Sequence, residues 1–310
     1  MEAMSFIDDQ VDEIRKAVGD GKAISALSGG VDSSVSTILA HRALGRRLKS
    51  VFIDNGLMRT GEPEEVVGVF SGLGIPVEVA DKKKEFFAAL KGKTDPEEKR
   101  KAFRYAFYKA FGREVMKSKA RFLIQGTIAA DIIETQKGVK TQHNILEQIG
   151  IDPEGGFGFK VIEPIKDLFK HEVREVGRAL GLPAAIYGRM PFPGPALATR
   201  IIGEVTVEKV DIIRKATRIV EEELEAVKPF QAFAVLMNDM GTGIEAGSRK
   251  FGRIIIIRSV ESRDAMTAQP TRLPWERLMK VTARIIEEVP GVTRVAYELT
   301  PKPPATIEYI

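Results

Sequence analysis

The segment AISALSGGVDSSVSTILA, residues 23–40, specifies the fold class of the N-terminal half of this chain. It begins with small and apolar residues, which are typical of a buried strand, and continues through Gly29 and Gly30 into a helical pattern that starts near Ser33. Glycines let the backbone approach a ligand closely, and the amides of a helix N-terminus attract anions. We therefore predict an anion-binding loop between a strand and a helix.

Short apolar runs alternate with longer helical patterns around this segment. We predict strands over 22–27, 50–53, 75–79, 121–125 and 160–164, and helices over 33–44, 62–72, 96–118 and 167–180. This alternation is typical of an α/β domain in which helices cover a parallel sheet. Residues 137–159 are weakly patterned, which is common in a mobile lid.

The order of elements changes after the stretch 187–195, which is rich in proline and glycine. The pattern beyond it predicts helices over 207–227 and 274–288 and strands over 231–237, 253–261 and 293–299. This arrangement is α+β. We therefore expect two domains, a larger one over residues 1–187 and a smaller one over residues 188–310.

The long helix predicted over 96–118 has two notable patterns. Phe103, Phe107 and Phe111 lie four residues apart, so they share one face and are expected to pack in a core. The basic run 99–101 is by default a solvated helix face.

Composition excludes several kinds of chemistry. The 310 residues include no cysteine and three histidines, so disulfides, thiolate zinc sites and cysteine nucleophiles are excluded and a histidine zinc site is not expected. The 47 basic and 43 acidic residues give a net charge of +4, which favours small anionic substrates over nucleic acid. No apolar run approaches the ~20 residues that a spanning helix needs. We therefore expect a cytoplasmic protein with no membrane or nucleic-acid partner.

The residues SGGVDSS at 28–34 have the chemistry that such a loop needs. Ser28, Ser33 and Ser34 add hydroxyl donors to the backbone amides, which suits a phosphate. The lysine of the kinase-type phosphate loop is absent, so γ-phosphoryl transfer by that machinery is not expected. Asp32 would repel a bare phosphate, so we expect Mg²⁺ between its carboxylate and a polyphosphate. The purely structural alternative is a Gly-Gly turn followed by a helix cap.

In this context SGGVDSS resembles the pyrophosphate-binding loop of the ATP pyrophosphatases, which adenylate a substrate and have an adenine nucleotide alpha hydrolase-like fold. Nearly the whole chain is similar to the synthetase portion of the GMP synthase family. The matching blocks, in the family's order, are VFIDNGLMR (51–59), DPEEKRK (95–101), QGTIAADIIE (125–134), EPIKDLFKHEVR (163–174), PFPGPALATR (191–200) and KPPATIEY (302–309).

The resemblance implies a two-step reaction. The 2-oxygen of xanthosine monophosphate (XMP) attacks the α-phosphorus of ATP, pyrophosphate leaves, and ammonia then displaces AMP to give GMP. Residues 1–187 are implied to form the ATP-pyrophosphatase domain, with a lid over about 137–159. Residues 188–310 are implied to form a dimerisation domain that binds XMP.

The same resemblance implies roles for individual residues. ATP is expected to contact Ser28, Gly29, Gly30, Val31, Asp32, Ser33, Ser34 and Asp54, and the lid to contribute Lys140, His143 and Asn144. XMP is expected to contact Arg100, Arg189, Arg200, Gln231, Lys302, Ile307 and Glu308. Mg²⁺ is expected at Asp32, Asp131 and Glu134, and a helix cap explains Asp131 equally well. The chain departs from the family pattern at Gln142, Met190 and Tyr309-Ile310.

Fused members of this family begin with a glutaminase domain that has a cysteine nucleophile, and this chain has no cysteine. We therefore expect a homodimeric synthetase subunit that takes ammonia from solution or from a separate glutaminase subunit. We also expect Mg²⁺ with ATP and no tightly bound organic cofactor. Two alternatives stay open: another amidating ATP pyrophosphatase such as NAD synthetase, and a catalytically silent nucleotide-binding subunit.

Overall fold

A computed structural model describes residues 2–129, 131–132, 160–245, 247–263 and 265–310. The chain forms two compact units. The first lies within Met1–Asn55, Gly61–Lys82 and Tyr105–Arg189, and the second within Gly56–Thr60, Lys83–Arg104 and Met190–Ile310. The functional boundary expected at residue 187 stays a prediction. Among the described residues, no helix has both the length and the apolar character that crossing a membrane requires.

The first unit is built on a five-stranded parallel sheet. Its strands are β1 (Ala23–Leu27), β2 (Leu48–Asp54), β3 (Val77–Asp81), β4 (Phe122–Ile124) and β5 (Lys160–Ile162), in the order β3-β2-β1-β4-β5. Ala23 of the central strand is opposite both Leu48 and Phe122. Parallel strands covered on both faces are apolar throughout, which explains why β1 and β2 are almost continuously buried. The predicted α/β fold is confirmed.

Nine α-helices have both ends among the described residues. They are α1 (Ala3–Val18), α2 (Val31–Leu44), α3 (Glu62–Gly72), α4 (Lys83–Leu90), α5 (Pro96–Ser118), α6 (Lys170–Ala179), α7 (Ala184–Tyr187), α8 (Val207–Leu224) and α9 (Trp275–Glu288). Helix α6 begins three residues later than the predicted Asp167, because the Phe169 amide donates to Glu172 Oε2 at 2.8 Å and caps the helix there.

The second unit contains a four-stranded sheet. Its strands are β6 (Gln231–Glu245), β7 (Ser248–Glu261), β8 (Gln269–Pro270) and β9 (Val292–Tyr297). Strands β6 and β7 are antiparallel, and β9 pairs in parallel with β7. The α+β arrangement predicted for this region is confirmed, although β6 and β7 form a longer hairpin than the pattern indicates.

Helix α5 contributes residues to both units. In the second unit the ring centroids of Phe103 and Phe86 are 4.8 Å apart, and in the first unit those of Phe107 and Phe111 are 6.2 Å apart. Phe103 and Phe111 are buried, as predicted for a core-facing stripe, whereas Phe107 is half-buried. The prediction that the basic run 99–101 faces solvent is wrong for Lys99. This residue is fully buried and donates from Nζ to the Ile201 carbonyl at 2.6 Å.

Candidate functional site

The serines of the loop between β1 and α2 hold it in place. Ser33 Oγ lies 3.0 Å from Ser28 Oγ, accepts from the Ser28 amide at 3.2 Å and donates to the Gly30 carbonyl at 3.1 Å. Ser34 Oγ donates to the same carbonyl at 2.9 Å. Gly29 has a φ of +78°, a left-handed conformation that favours glycine. The loop is thus fixed beside the first turn of α2, whose N–H groups have no acceptor within the helix and suit an anion.

Asp32 brings a negative charge to this loop. Its Oδ2 accepts a hydrogen bond from Lys170 Nζ at 2.6 Å, whereas its Oδ1 is buried and has no hydrogen-bond partner. A buried carboxylate oxygen without a donor is costly, and a hard cation would satisfy it. Asp32 therefore fits one protein ligand of a Mg²⁺ ion bound with a polyphosphate. Lys170 lies in the block 163–174, but no spacing rule marks it as a partner of Asp32.

The chain after β4 approaches the same loop. A Cβ on Gly126 would lie 2.9 Å from Asp32 C and from Ser33 N, so glycine is needed for this close approach. Asp131 Oδ2 accepts a hydrogen bond from the Ile128 amide at 3.1 Å, as a residue that caps a helix start does. The structure thus shows a helix-capping interaction of Asp131, which is the alternative to its predicted role in metal binding.

The other residues expected near the metal and in the lid are not among those that the structure describes. Glu134, Lys140, His143 and Asn144, together with the lid range 137–159, lie outside the described residues. Within the residues that the structure does describe, no group of three or more histidine, aspartate or glutamate side chains could hold a metal ion. A Mg²⁺ ion bound with phosphates needs only one or two carboxylates, so Asp32 still fits that kind of site.

Asp54 ends β2 at the carboxyl edge of the sheet, where ligands bind in α/β folds. Asp54 and Asn55 are both buried. The Asp54 carbonyl accepts from the Lys82 amide at 2.8 Å, and Asp54 is opposite Asp81 in the neighbouring strand. Because β1 and β2 are parallel neighbours, Asp54 and the loop after β1 follow strand ends at the same edge. The contact of Asp54 with ATP stays a prediction.

Three of the residues expected to bind XMP form one cluster in the second unit. Arg200 donates from Nε and Nη2 to the two carboxylate oxygens of Glu308 at 3.2 and 2.9 Å, and Gln231 Nε2 donates to Glu308 Oε1 at 2.5 Å. Arg200 is 1% exposed, and its Nη1 is buried without a hydrogen-bond partner. Its guanidinium carbon lies 4.9 and 4.1 Å from the ring centroids of Phe192 and Phe233. A buried cation with an unused donor is suited to an anionic or carbonyl oxygen.

Two further expected XMP residues lie in the C-terminal segment that carries Glu308. Ile307 is buried in a small apolar cluster that includes Ala268. Lys302 pairs through its backbone with Ala268, and its Nζ donates to the Ala265 carbonyl at 2.7 Å.

Arg100 and Arg189, which were also expected to bind XMP, pair with carboxylates in this structure. Arg100 forms an ion pair with Glu97, one turn away on α5. Arg189 donates from Nη1 to Glu62 Oε1 at 2.9 Å and from Nη2 to Glu65 Oε2 at 2.5 Å. Sequence reasoning did not identify Glu62, because its importance comes from what it touches in the fold.

Two family models match this chain. The model named NAD synthase matches residues 2–199, and the model named GMP synthase C terminal domain matches residues 217–309. The parallel sheet, the loop 28–34 after its central strand and these two matches define the chain as a nucleotide-binding synthetase with an appended α+β domain.

Relatives of this chain match along its full length. The B subunit of the glutamine-hydrolyzing GMP synthase of Archaeoglobus fulgidus is 54% identical, with 100% of each chain covered. The proteins of the same name from Thermococcus kodakarensis and Methanopyrus kandleri are 51% and 48% identical, over 98% of this chain and 99% and 98% of theirs. The chain belongs to the family of GMP synthase B subunits. The alternative of another amidating pyrophosphatase is therefore not favoured.

Proposed function

We propose that this chain is the synthetase subunit of a two-chain GMP synthase, a ligase that forms a C–N bond. ATP adenylates the 2-oxygen of XMP, pyrophosphate leaves, and ammonia displaces AMP to give GMP. The observation that carries the proposal is the loop 28–34 with its hydroxyls held beside the first turn of α2. Adenylation is chemically necessary because the purine oxygen is otherwise a poor leaving group.

The loop would bind the pyrophosphate part of ATP. Its backbone amides would donate to oxygens that gain negative charge as the bond to the α-phosphorus breaks, which lowers the barrier, while the serine hydroxyls hold the loop in place. Mg²⁺ at Asp32 Oδ1, with Asp131 and Glu134 as further candidate ligands, would supply charge neutralisation on the polyphosphate. Asp54 would contact the adenosine part. Lys140, with His143 and Asn144, is proposed to act on the α-phosphate.

XMP would bind at the cluster of Arg200, Gln231 and Glu308. The unused Nη1 of Arg200 would donate to a phosphate or carbonyl oxygen of the nucleotide. Glu308 is held by Arg200 and Gln231, so its carboxylate is oriented to accept from the purine or the ribose. Arg100, Lys302 and Ile307 stay predicted XMP contacts. For Arg189, contact with XMP is the alternative that the binding measurements described below test.

The partners of the proposed enzyme follow from the source of ammonia. The relatives are each named as one subunit of a glutamine-hydrolyzing enzyme, and such a name implies a second subunit. We propose that a separate glutaminase chain supplies ammonia, that residues 188–310 make a homodimer and that the enzyme acts in the cytoplasm. Light scattering at micromolar concentration is expected to give about twice the chain mass of 34.2 kDa. A monomeric mass would contradict the homodimer.

Pyrophosphate release tests the proposed reaction. Release from Mg·ATP is expected to require XMP, and GMP is expected only when ammonium is added at alkaline pH. Asp32→Asn should lower the rate at least about tenfold through loss of electrostatic stabilisation, whereas Asp20→Asn, at an exposed site, should not change it. Release that depends on nicotinate adenine dinucleotide instead of XMP would contradict the proposal.

A further inference from the structure

A buried carboxylate borders the anion loop in the first unit. Glu62 is the first residue of α3 and is 2% exposed. A Cβ on Gly29 would lie 2.7 Å from Glu62 Oε1, so the carboxylate occupies the space that a side chain at position 29 would need. A negative charge at this place opposes the approach of a polyphosphate to the loop.

Arg189 offsets part of this charge. Its Nη1 donates to Glu62 Oε1 at 2.9 Å and its Nη2 to Glu65 Oε2 at 2.5 Å, so both ends of the guanidinium fork are used. The Arg189 side chain is 15% exposed, which weakens screening by solvent. Asp32, the other acidic group of the loop, is likewise paired, with Lys170. Asp32 and Glu62 therefore each face a cation in the same unit.

We propose that Arg189 is a positioning residue for ATP, which acts through Glu62. By pairing with Glu62 it holds that carboxylate against Gly29 and offsets part of its charge, so that the loop keeps both the shape and the electrostatic potential that a polyphosphate needs. This inference rests on the proposed function, because it takes the loop 28–34 to be the ATP site. It differs from the predicted role of Arg189 in XMP binding.

Binding measurements separate these roles without turnover. The probes are α,β-methylene-ATP with Mg²⁺ and, separately, XMP, titrated calorimetrically into the full chain. Arg189→Met removes one positive charge beside Glu62 and the loop, so the dissociation constant of the ATP analogue should rise about tenfold or more, as expected for one unit charge near a polyphosphate. The dissociation constant of XMP should not change. Arg178→Met, an exposed arginine on α6, is the matched control and should alter neither.

A second substitution distinguishes an effect of charge from an effect of packing, because the two predict opposite changes in affinity for the ATP analogue. Glu62→Gln removes the negative charge and leaves Arg189 in place, so the ATP analogue should bind as tightly as before or more tightly. The double variant Glu62→Gln/Arg189→Met should restore most of the affinity lost in Arg189→Met. Because Glu62→Gln gives the sign by itself, the inference can be tested even when Arg189→Met does not fold.

Three results would overturn the inference. Weaker binding of the ATP analogue in both single variants would mean that the pair only supports the packing of the loop. A raised dissociation constant for XMP with unchanged binding of the analogue would mean that Arg189 contacts XMP. Failure of the unaltered chain to bind the analogue would refute the ATP site itself. If the unaltered chain binds the analogue, the ATP site stands and the variants test only the role of Arg189.

Discussion

The burial of Lys99 allows a quantitative prediction about stability. Lys99 is fully buried on α5, where its Nζ donates to the Ile201 carbonyl at 2.6 Å. Burial, and then the nearby charge of Lys209, lower the pKa of Lys99 from 10.5 to about 8. The protein therefore holds a charge that it stabilises poorly at neutral pH. Lys99→Met keeps the approximate length of the side chain and removes that charge.

The sign of the pH dependence follows from the two pKa values. Between pH 8 and 10.5 the unfolded chain binds more protons at Lys99 than the folded chain does, so the free energy of unfolding rises with pH. At 1.36 kcal/mol per pH unit, the full difference is about 3 kcal/mol, of which about 2.5 kcal/mol develops between pH 7 and 10. Lys99→Met lacks this contribution at every pH.

Thermal unfolding of the two proteins from pH 7 to 10 measures this difference. The midpoint of the unaltered chain minus that of Lys99→Met should rise by roughly 5 °C across this range. The substitution also leaves the Ile201 carbonyl without its donor, which costs about 1–3 kcal/mol and affects all pH values equally. Lys101→Met, at an exposed position on the same helix, should show no such pH dependence. A difference between the unaltered chain and Lys99→Met that stays constant from pH 7 to 10 would refute the reasoning.

Two further substitutions test the loop and the C-terminal segment. Gly29→Ala combines a φ of +78° with a Cβ 2.7 Å from Glu62 Oε1, so it should lose about 1–3 kcal/mol of unfolding free energy and also XMP-dependent pyrophosphate release. Gly61→Ala has a similar φ of +68° and open space for a Cβ, so release should persist there; equal loss of release in both variants would contradict the role of the loop. Arg258 is buried and donates to the carbonyls of Thr300 and Thr306 at 2.6 and 3.0 Å, so Arg258→Met should free the segment that carries Glu308 and raise the KM for XMP more than that for ATP. Equal changes in both KM values would count against this assignment.

The junction between β1 and α2 at residues 28–34 could be predicted because its residues are contiguous. Ser28, Gly29, Gly30 and Ser33 lie within one strand-to-helix junction, and their hydrogen bonds span at most five residues. Local periodicity and glycine chemistry are enough to specify such a junction. The parallel sheet could be predicted equally well, because an alternation of strands and helices is compatible with few other topologies.

The cluster expected to bind XMP is different, because its members are distant in sequence. Arg200 and Glu308 are 108 residues apart, and no periodicity relates them. Only the resemblance to a family named these residues, and the structure then showed that Arg200, Gln231 and Glu308 touch. It also showed the unused Nη1 of Arg200, which composition cannot reveal.

Helix α5 shows where local pattern fails. The four-residue spacing of its phenylalanines correctly predicts burial for Phe103 and Phe111, whereas Phe107 is half-buried; Phe103 packs with Phe86 in one unit and Phe107 with Phe111 in the other. The spacing of apolar residues predicts which face of a helix is buried, but it does not predict which part of the protein packs against that face. Lys99 was expected in solvent for the same reason, because a basic run is exposed unless a particular acceptor covers it.

Strand and helix order, the phosphate-type loop and the absence of thiol chemistry all follow from residues that are close in sequence or simply counted. The partners of charged side chains do not: Lys170 for Asp32, Arg189 for Glu62 and Glu308 for Arg200 are each more than 100 residues away. Electrostatic and hydrogen-bond energies depend on distance in space and on burial, which exist only after the chain has folded. The chain's chemistry is therefore visible in its pattern, whereas the balance of charge around its sites is a property of the folded molecule.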